Sequence, residues 1–159
     1  MYKDNHKKTI LLVENDKMTA ETLGEIIGEY GYEIIISFNG EQAIEAALND
    51  DKIDLVLMDI NLGKGINGTQ AAGIILNSRN IPVVFLSNHS EHEIIEKAEK
   101  ISPYGFVMKN SGINALLESV KMAFKLFDTR MKLFEKENTL RKIEEKYRLL
   151  KNQHYRYPI

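Results

Sequence analysis

Five short apolar runs recur along the first two thirds of the chain, and each is followed by a stretch with helical periodicity. The runs occupy residues 9–13, 33–37, 54–58, 82–86 and 105–108. The first, third and fourth runs are continuously apolar, which is typical of strands buried on both faces of a parallel sheet. Strands that alternate with helices indicate right-handed crossovers and helices on both sheet faces. We therefore predict an α/β fold with a five-stranded parallel sheet.

Polar residues at the helix starts support these element boundaries. Asn39, followed three residues later by Gln42, resembles a capping box before an apolar helical face. Asp16 follows the first strand, and Asp is a favoured N-cap residue. Ser111 is predicted to cap the last helix.

The last helix extends well beyond the length that the domain requires. No Gly or Pro occurs from residue 113 to residue 150, and apolar residues repeat every seven positions at Leu126, Leu133, Leu140 and Tyr147. Ile143 and Leu150 follow three residues after two of these, whereas Thr129 and Lys136 occupy the equivalent earlier positions. The pattern fits a solvated single helix or a short parallel coiled coil that forms a homodimer. We predict a domain over residues 1–127 and an extended C-terminal helix over residues 128–159.

Composition narrows the range of functions. The chain has 159 residues, a net charge of −2, a pI of about 6.1 and no cysteine. Disulfides, thiolate catalysis and zinc–thiolate sites are therefore excluded. The charge gives no indication of nucleic-acid binding, and no apolar run approaches the roughly 18 residues of a membrane span. The polar N-terminus does not resemble a signal peptide. We expect a cytoplasmic protein with neither nucleic acid nor membrane as partner.

The candidate chemistry lies at the ends of the predicted strands. In a doubly wound sheet, ligands bind beyond the C-terminal ends of the strands, at the switch point of the strand order. The residues found there are Glu14, Asn15, Asp16, Asp59, Ser87 and Lys109. Carboxylate and amide oxygens suit a hard cation such as Mg²⁺, which also reduces the repulsion between clustered acids. Asp59 could then act as a nucleophile towards a phosphoryl group, with Lys109 neutralising the phosphoryl charge and Ser87 donating a hydrogen bond.

Four ordered motifs make the chain similar to the response-regulator receiver domain family of two-component signalling. They are ILLVEND at 10–16, LVLMDINL at 55–62, VVFLS at 83–87 and GFVMK at 105–109. The resemblance implies the flavodoxin-like (βα)5 strand order 2-1-3-4-5. It also implies phosphoryl transfer to Asp59 from a histidine kinase or phosphotransfer protein, with Mg²⁺ as cofactor. Such a protein is a signalling receiver, and its only catalysis is its own phosphorylation and dephosphorylation.

The resemblance assigns roles to further residues. Glu14, Asn15, Asp16, Asp59 and Asn61 form the implied Mg²⁺ site, with Asn61 contributing its backbone carbonyl. Phe106 lies where the family has an aromatic residue that moves inward on phosphorylation. Asn61 and His89 lie at the positions that tune the lifetime of the phosphoryl group. Phosphorylation would rearrange the face formed by the fourth strand, the fourth helix and the fifth strand, and this face or the last helix would contact a downstream partner.

The chain departs from the family pattern at three asparagines. Asn15 replaces the second acid of the metal-binding pair, Asn88 follows Ser87 where the family has a small residue, and Asn110 follows Lys109 where proline is common. The loss of an acid at position 15 removes one charge from the metal site. Asp16 could compensate for this loss or could instead cap the first helix.

Two other functions remain open from the sequence. Because of Asn15, the chain could be a pseudo-receiver, a protein-interaction module that works without phosphate. A flavin-binding protein of the same fold would cradle phosphate with the loop after the first strand, but here that loop is acidic and would repel phosphate. Residues 144–150 resemble the sequence that leads into a PAS sensor domain. The chain could therefore be a stand-alone receiver or a fragment whose output domain is missing.

Overall fold

Five strands and five helices alternate along the chain in the computed structural model, which describes residues 6–88, 92–102 and 104–156, with side chains as far as residue 153. The strands are β1 (Thr9–Val13), β2 (Glu33–Ser37), β3 (Ile53–Asp59), β4 (Val83–Ser87) and β5 (Phe106–Met108). The helices are α1 (Lys17–Glu29), α2 (Gly40–Asn49), α3 (Gly68–Ser78), α4 (His92–Ile101) and α5 (Ile113–Arg156). Each predicted strand is present, with boundaries that differ by about one residue from the apolar runs.

All the strand pairs are parallel, and the order across the sheet is β2-β1-β3-β4-β5. The predicted fold and strand order are therefore confirmed. The order reverses between β1 and β3, so the C-terminal ends of these two strands flank the switch point at which α/β folds bind ligands.

The strands alternate their side chains between two apolar layers. Leu11 and Val13 of β1 belong to a layer that includes residues of α2, α3 and α4, whereas Ile10 and Leu12 belong to a second layer that includes residues of α1 and the first turns of α5. Every residue of β1 and of β4 is buried. Burial of one such aliphatic side chain contributes about 1.5–3 kcal/mol, so the two layers hold the strand ends in fixed positions.

The helix starts agree with the sequence at two positions and differ at one. Asp16 caps α1 by accepting a hydrogen bond from the Thr19 amide at 3.0 Å, and Asn39 caps α2 by accepting from the Gln42 amide at 2.8 Å. The prediction that Ser111 caps α5 is wrong. Ser111 belongs to a short 3₁₀ turn that precedes α5, and its hydroxyl donates to the Met108 carbonyl at 2.6 Å.

Gly112 explains this difference at the start of α5. It lies between the 3₁₀ turn and the helix, with a φ of +91° that favours glycine. The chain therefore changes direction at residue 112, and a cap at residue 111 would require the helix to begin one residue earlier.

The chain divides into two compact units, Met1–Phe124 and Lys125–Ile159. The first unit contains the sheet and its layers of helices. The second unit, as far as the structure describes it, is the continuation of α5 to Arg156. The division into domains at residue 127 stays a prediction. None of the described helices is long and apolar enough to cross a membrane.

Candidate functional site

Three ionisable side chains meet at the C-terminal ends of three different strands. Glu14 directly follows β1, Asp59 is the last residue of β3, and Lys109 directly follows β5. In a parallel sheet these strand ends lie along the same edge, so residues separated by 50 or 95 positions in sequence come into contact.

Lys109 bridges the two carboxylates. Its Nζ donates to Asp59 Oδ2 at 2.7 Å and to Glu14 Oε2 at 2.7 Å. The carboxylate side chains are only 4–5% exposed, whereas the lysine side chain is 20% exposed. Both acids are thus enclosed at the end of the sheet, and the lysine is the most exposed of the three side chains.

Burial changes the ionisation of this cluster. It raises the pKa of Glu14 to about 7, and a hydrogen bond to Asp59 and the charge of Asp59 add to the rise, while Lys109 opposes it. Burial lowers the pKa of Lys109, but its hydrogen bonds to Asp59 and Glu14 and their charges outweigh this effect, so the pKa lies above its ordinary value. The lysine therefore remains a cation, and Glu14 takes up a proton near neutral pH.

The loop after β3 holds the other oxygen of Asp59. Asp59 Oδ1 accepts a hydrogen bond from the Asn61 amide at 3.1 Å, and Asn61 Oδ1 in turn accepts from the Gly63 amide at 3.3 Å. Gly63 has a φ of +74°, in the left-handed region that favours glycine, so it allows the turn in which its own amide bonds to the Asn61 side chain. One carboxylate oxygen of Asp59 therefore accepts a hydrogen bond from Lys109, and the other accepts one from a backbone amide.

A polar cavity of about 260 Å³ opens over these groups. Its lining consists of Glu14, Asn15, Asp59, Asn61, Gly63, Asn88 and Lys109. The structure thus brings together five residues that the sequence predicted for the site. Gly63 and Asn88 were not predicted as site residues. The position of Asn88 directly after β4 could have identified it, since every other strand end of the site was selected on that basis.

Three predicted residues that the structure describes do not line this cavity. Asp16 is exposed and its carboxylate caps α1, which confirms the cap but does not bring the side chain to the cavity. Ser87 is buried at the end of β4, opposite Met108 in the parallel pairing. Phe106 begins β5 and is partly buried against the apolar layer that includes α4. His89 lies outside the described residues.

The oxygen donors of the cavity fit Mg²⁺. Mg²⁺ usually binds through one or two carboxylates and keeps several waters. The cavity is lined by two carboxylic acids, Glu14 and Asp59, and by Asn15 and Asn61, which carry amide oxygens. In the part of the chain that the structure describes, no group of three or more His, Cys, Asp or Glu side chains is placed to hold a metal.

Known proteins match both the sequence and the fold. The family model described as "Response regulator receiver domain" matches residues 10–121. The transcriptional regulatory protein PdtaR of Mycobacterium tuberculosis is 29% identical over 121 residues, which are 76% of this chain and 58% of PdtaR. This chain therefore spans less than two thirds of the length of that relative.

Two solved structures extend the comparison. The N-terminal domain of a response regulator/sensory box/GGDEF three-domain protein from Carboxydothermus hydrogenoformans is 40% identical, with a TM-score of 0.72, over 78% of this chain and 99% of that domain. The response regulator TrrA from Thermotoga maritima, solved in complex with Mg²⁺-BeF, is 31% identical, with a TM-score of 0.66, over 73% of this chain and 98% of TrrA. Because the family model matches residues 10–121, which are more than half of the chain, the chain belongs to the response regulator receiver domain family of two-component signalling.

Proposed function

We propose that this receiver accepts a phosphoryl group on Asp59 from the phosphohistidine of a histidine kinase or phosphotransfer protein. The observation that carries the proposal is the contact of Lys109 Nζ with both Asp59 and Glu14 at 2.7 Å, beside an open polar cavity. An oxygen of Asp59 attacks phosphorus, the O–P bond forms, the P–N bond breaks, and its electron pair stays on the imidazole.

The residues of this chain prepare Asp59 for that reaction. The Asn61 amide orients the carboxylate, and Lys109 supplies a positive charge next to the oxygen that becomes phosphorylated. Glu14, Asn15, Asp59 and Asn61 would hold Mg²⁺, which when bound neutralises charge on the phosphoryl oxygens. Asp16 remains a less favoured ligand because its carboxylate already caps α1. Ser87 would donate to a phosphoryl oxygen, and Asn61 and His89 would tune the lifetime of the product.

A second cavity supports docking of a protein phosphodonor. It has a volume of about 390 Å³, is lined by α1, by the ends of β4 and β5 and by the first turn of α5, and shares Lys109 with the site. Met18 at its lining is exposed. A partner that presents phosphohistidine to Asp59 needs a contact surface of this kind. Met18→Lys should therefore slow phosphorylation by the kinase but leave phosphorylation by acetyl phosphate unchanged.

The phosphorylated site would act on the β4–α4–β5 face. The aspartyl phosphate carries about two negative charges where one was present, and this change would bias Phe106 and the end of β4 towards a second arrangement. A downstream protein, or an output domain that follows α5 in a longer chain, would detect the change. The sensory box that follows the receiver in the C. hydrogenoformans protein supports the second alternative.

Phosphorylation of the full chain tests the proposal. We expect incubation with acetyl phosphate and Mg²⁺ to add one phosphoryl group, measured by intact mass, and expect none for Asp59→Asn or in the presence of a chelator. Asn15 favours the alternative of a pseudo-receiver, since it removes one acid from the metal site. Absence of the phosphoryl group under all conditions, with acetyl phosphate and with kinases, would support that alternative.

A further inference from the structure

The continuation of α5 beyond Phe124 has no covering layer. Between residues 125 and 153 every residue is exposed or partly exposed, and none is buried. Isolated helices in water are marginal, and helices in proteins are stabilised mainly by the packing of an apolar face. This helix therefore lacks, within its own unit, the packing that such a length normally requires.

The exposed apolar residues form a stripe with the spacing of a coiled coil. The apolar stripe consists of Leu126, Leu133, Leu140, Ile143, Tyr147 and Leu150, which occupy a and d positions of a heptad repeat. Thr129 and Lys136 fill the two remaining d positions. All six apolar members are exposed. No residue of the apolar stripe belongs to the proposed phosphorylation site.

We propose that the apolar stripe binds a second copy of this chain, as a parallel, in-register two-stranded coiled coil. The positions of the polar residues Thr129 and Lys136 favour this partner and this orientation. In a parallel pair each position faces itself, so six of the eight a and d layers between residues 126 and 150 are apolar on both sides. Four of these layers are consecutive, from Leu140 to Leu150.

An antiparallel pair of the same helices would have fewer layers that are apolar on both sides. When the whole stripe overlaps, Leu140 faces Lys136 and Tyr147 faces Thr129, so only four of the eight layers are apolar on both sides. A partner of different sequence would need its own matching stripe, whereas a second copy supplies one with the same spacing. The parallel homodimer therefore buries the most apolar surface.

Charges at the flanking positions give the expected salt dependence. In the parallel pair Lys132 faces Glu137 of the second copy, which is favourable, but Lys125 faces Arg130 and Lys146 faces Lys151. Like-charge contacts thus outnumber opposite-charge contacts. Since salt screens exposed charges, added sodium chloride should strengthen the dimer rather than weaken it.

The helix provides its own matched controls. Phe134 and Leu149 are apolar residues of the same helix that lie off the stripe, and they are 54% and 61% exposed. The stripe residues Leu140 and Ile143 have similar exposures of 60% and 59%. Sedimentation equilibrium of the full chain should show a concentration-dependent dimer. We expect Leu140→Ser with Ile143→Ser to raise the dimer dissociation constant about tenfold or more, and Phe134→Ser with Leu149→Ser to change it less than about threefold.

Cysteine substitutions test the orientation, because the chain has no cysteine of its own. We expect Leu126→Cys and Leu150→Cys each to form a disulfide-linked dimer under mild oxidation, since the same residue of two parallel helices lies within disulfide range. Phe134→Cys should cross-link far more slowly. A chain that is monomeric at all concentrations, equal effects of the two double variants, or cross-linking only in a mixture of Leu126→Cys and Leu150→Cys would overturn the proposal.

These outcomes are independent of the proposed phosphorylation. Asp59→Asn keeps the stripe but removes the phosphoacceptor, so it should dimerise as the wild-type chain does. A dimer without phosphorylation would contradict the proposed function alone, and phosphorylation of a strict monomer would contradict the dimer alone.

Discussion

Gly68 packs directly against the backbone of Asp59. A Cβ atom at position 68 would lie 2.0 Å from the Asp59 carbonyl oxygen and 2.8 Å from the Asp59 carbonyl carbon. The Gly68 amide also donates to the Ile60 carbonyl at 2.8 Å. The start of α3 therefore rests on the strand end that carries the phosphoacceptor, and no larger residue fits there without a shift of the backbone.

Gly68→Ala should destabilise the fold and displace Asp59. We expect a loss of about 2–4 kcal/mol in the free energy of unfolding, because the clash is with backbone atoms that cannot move aside as a side chain could. Gly73→Ala is the matched control, since it lies on the same helix and an added Cβ would meet nothing within 4 Å. This control should be neutral or stabilising by up to about 1 kcal/mol. Equal urea denaturation midpoints for the two variants would contradict the packing described.

Arg79 should contribute strongly to stability. Its guanidinium donates to the carbonyls of Ala47 at 2.6 Å, Asp50 at 2.9 Å and Asp51 at 3.2 Å, and also to the Ile53 carbonyl. Arg79→Met should cost about 2–4 kcal/mol in chemical denaturation, because it removes the four hydrogen bonds that the guanidinium donates to these carbonyls.

Two further substitutions test this explanation of Arg79. Arg79→Lys should recover only part of the loss, since an ammonium lacks the planar set of donors. Arg141→Met should change stability by less than about 0.5 kcal/mol, because Arg141 is exposed and bonds only to Asn138 among the contacts described for it. A loss of similar size at both arginines would show that the four carbonyls are not the cause.

Glu14 should make the stability of the metal-free protein depend on pH. The pKa of Glu14 is about 7 in the folded chain, against 4.5 as the ordinary value, so the folded state holds this proton more tightly than the unfolded state. The stabilisation from this group is complete below about pH 4.5 and is lost as the pH rises through about 7.

Glu14→Gln removes this dependence. We expect the wild type to be more stable than Glu14→Gln at pH 5 when chelator is present. This difference in the free energy of unfolding should fall by on the order of 2 kcal/mol between pH 5 and pH 8.5. Asp16→Asn is a suitable control because Asn caps a helix as well as Asp does. A constant difference between wild type and Glu14→Gln over this range would mean that the carboxyl ionises as it does in the unfolded chain.

Asn15→Asp should change stability in opposite directions with and without Mg²⁺. A third carboxylate beside Glu14 and Asp59 adds repulsion, so the melting temperature in chelator should fall. With saturating Mg²⁺ it should rise, and the Mg²⁺ dissociation constant, measured by calorimetric titration, should decrease about tenfold. Asp16→Asn should leave Mg²⁺ affinity unchanged because Asp16 does not line the cavity. A tenfold loss in that variant would instead make Asp16 a ligand.

The strand ends were predictable from the sequence because parallel strands place their C-terminal residues along one edge. This geometry selected Glu14, Asp59 and Lys109 before any contact was known. The contacts themselves were not predictable, since Lys109 has enough rotatable bonds to reach either acid or solvent, and only the packed strands decide that it meets both. The start of α5 was mispredicted because a serine is a common cap, while the left-handed conformation of Gly112 depends on the chain path around it.

Lys109 forms ion pairs with residues at the ends of strands that are not adjacent to its own strand in the sheet. Asp59 ends β3 and Lys109 follows β5, so their contact passes over the end of β4. Phosphorylation of Asp59, as proposed, would therefore act on β5 through Lys109 without first displacing β4. Because β5 has a hydrogen-bonded neighbour on one side only, it is a strand that can respond at the smallest cost in backbone hydrogen bonds.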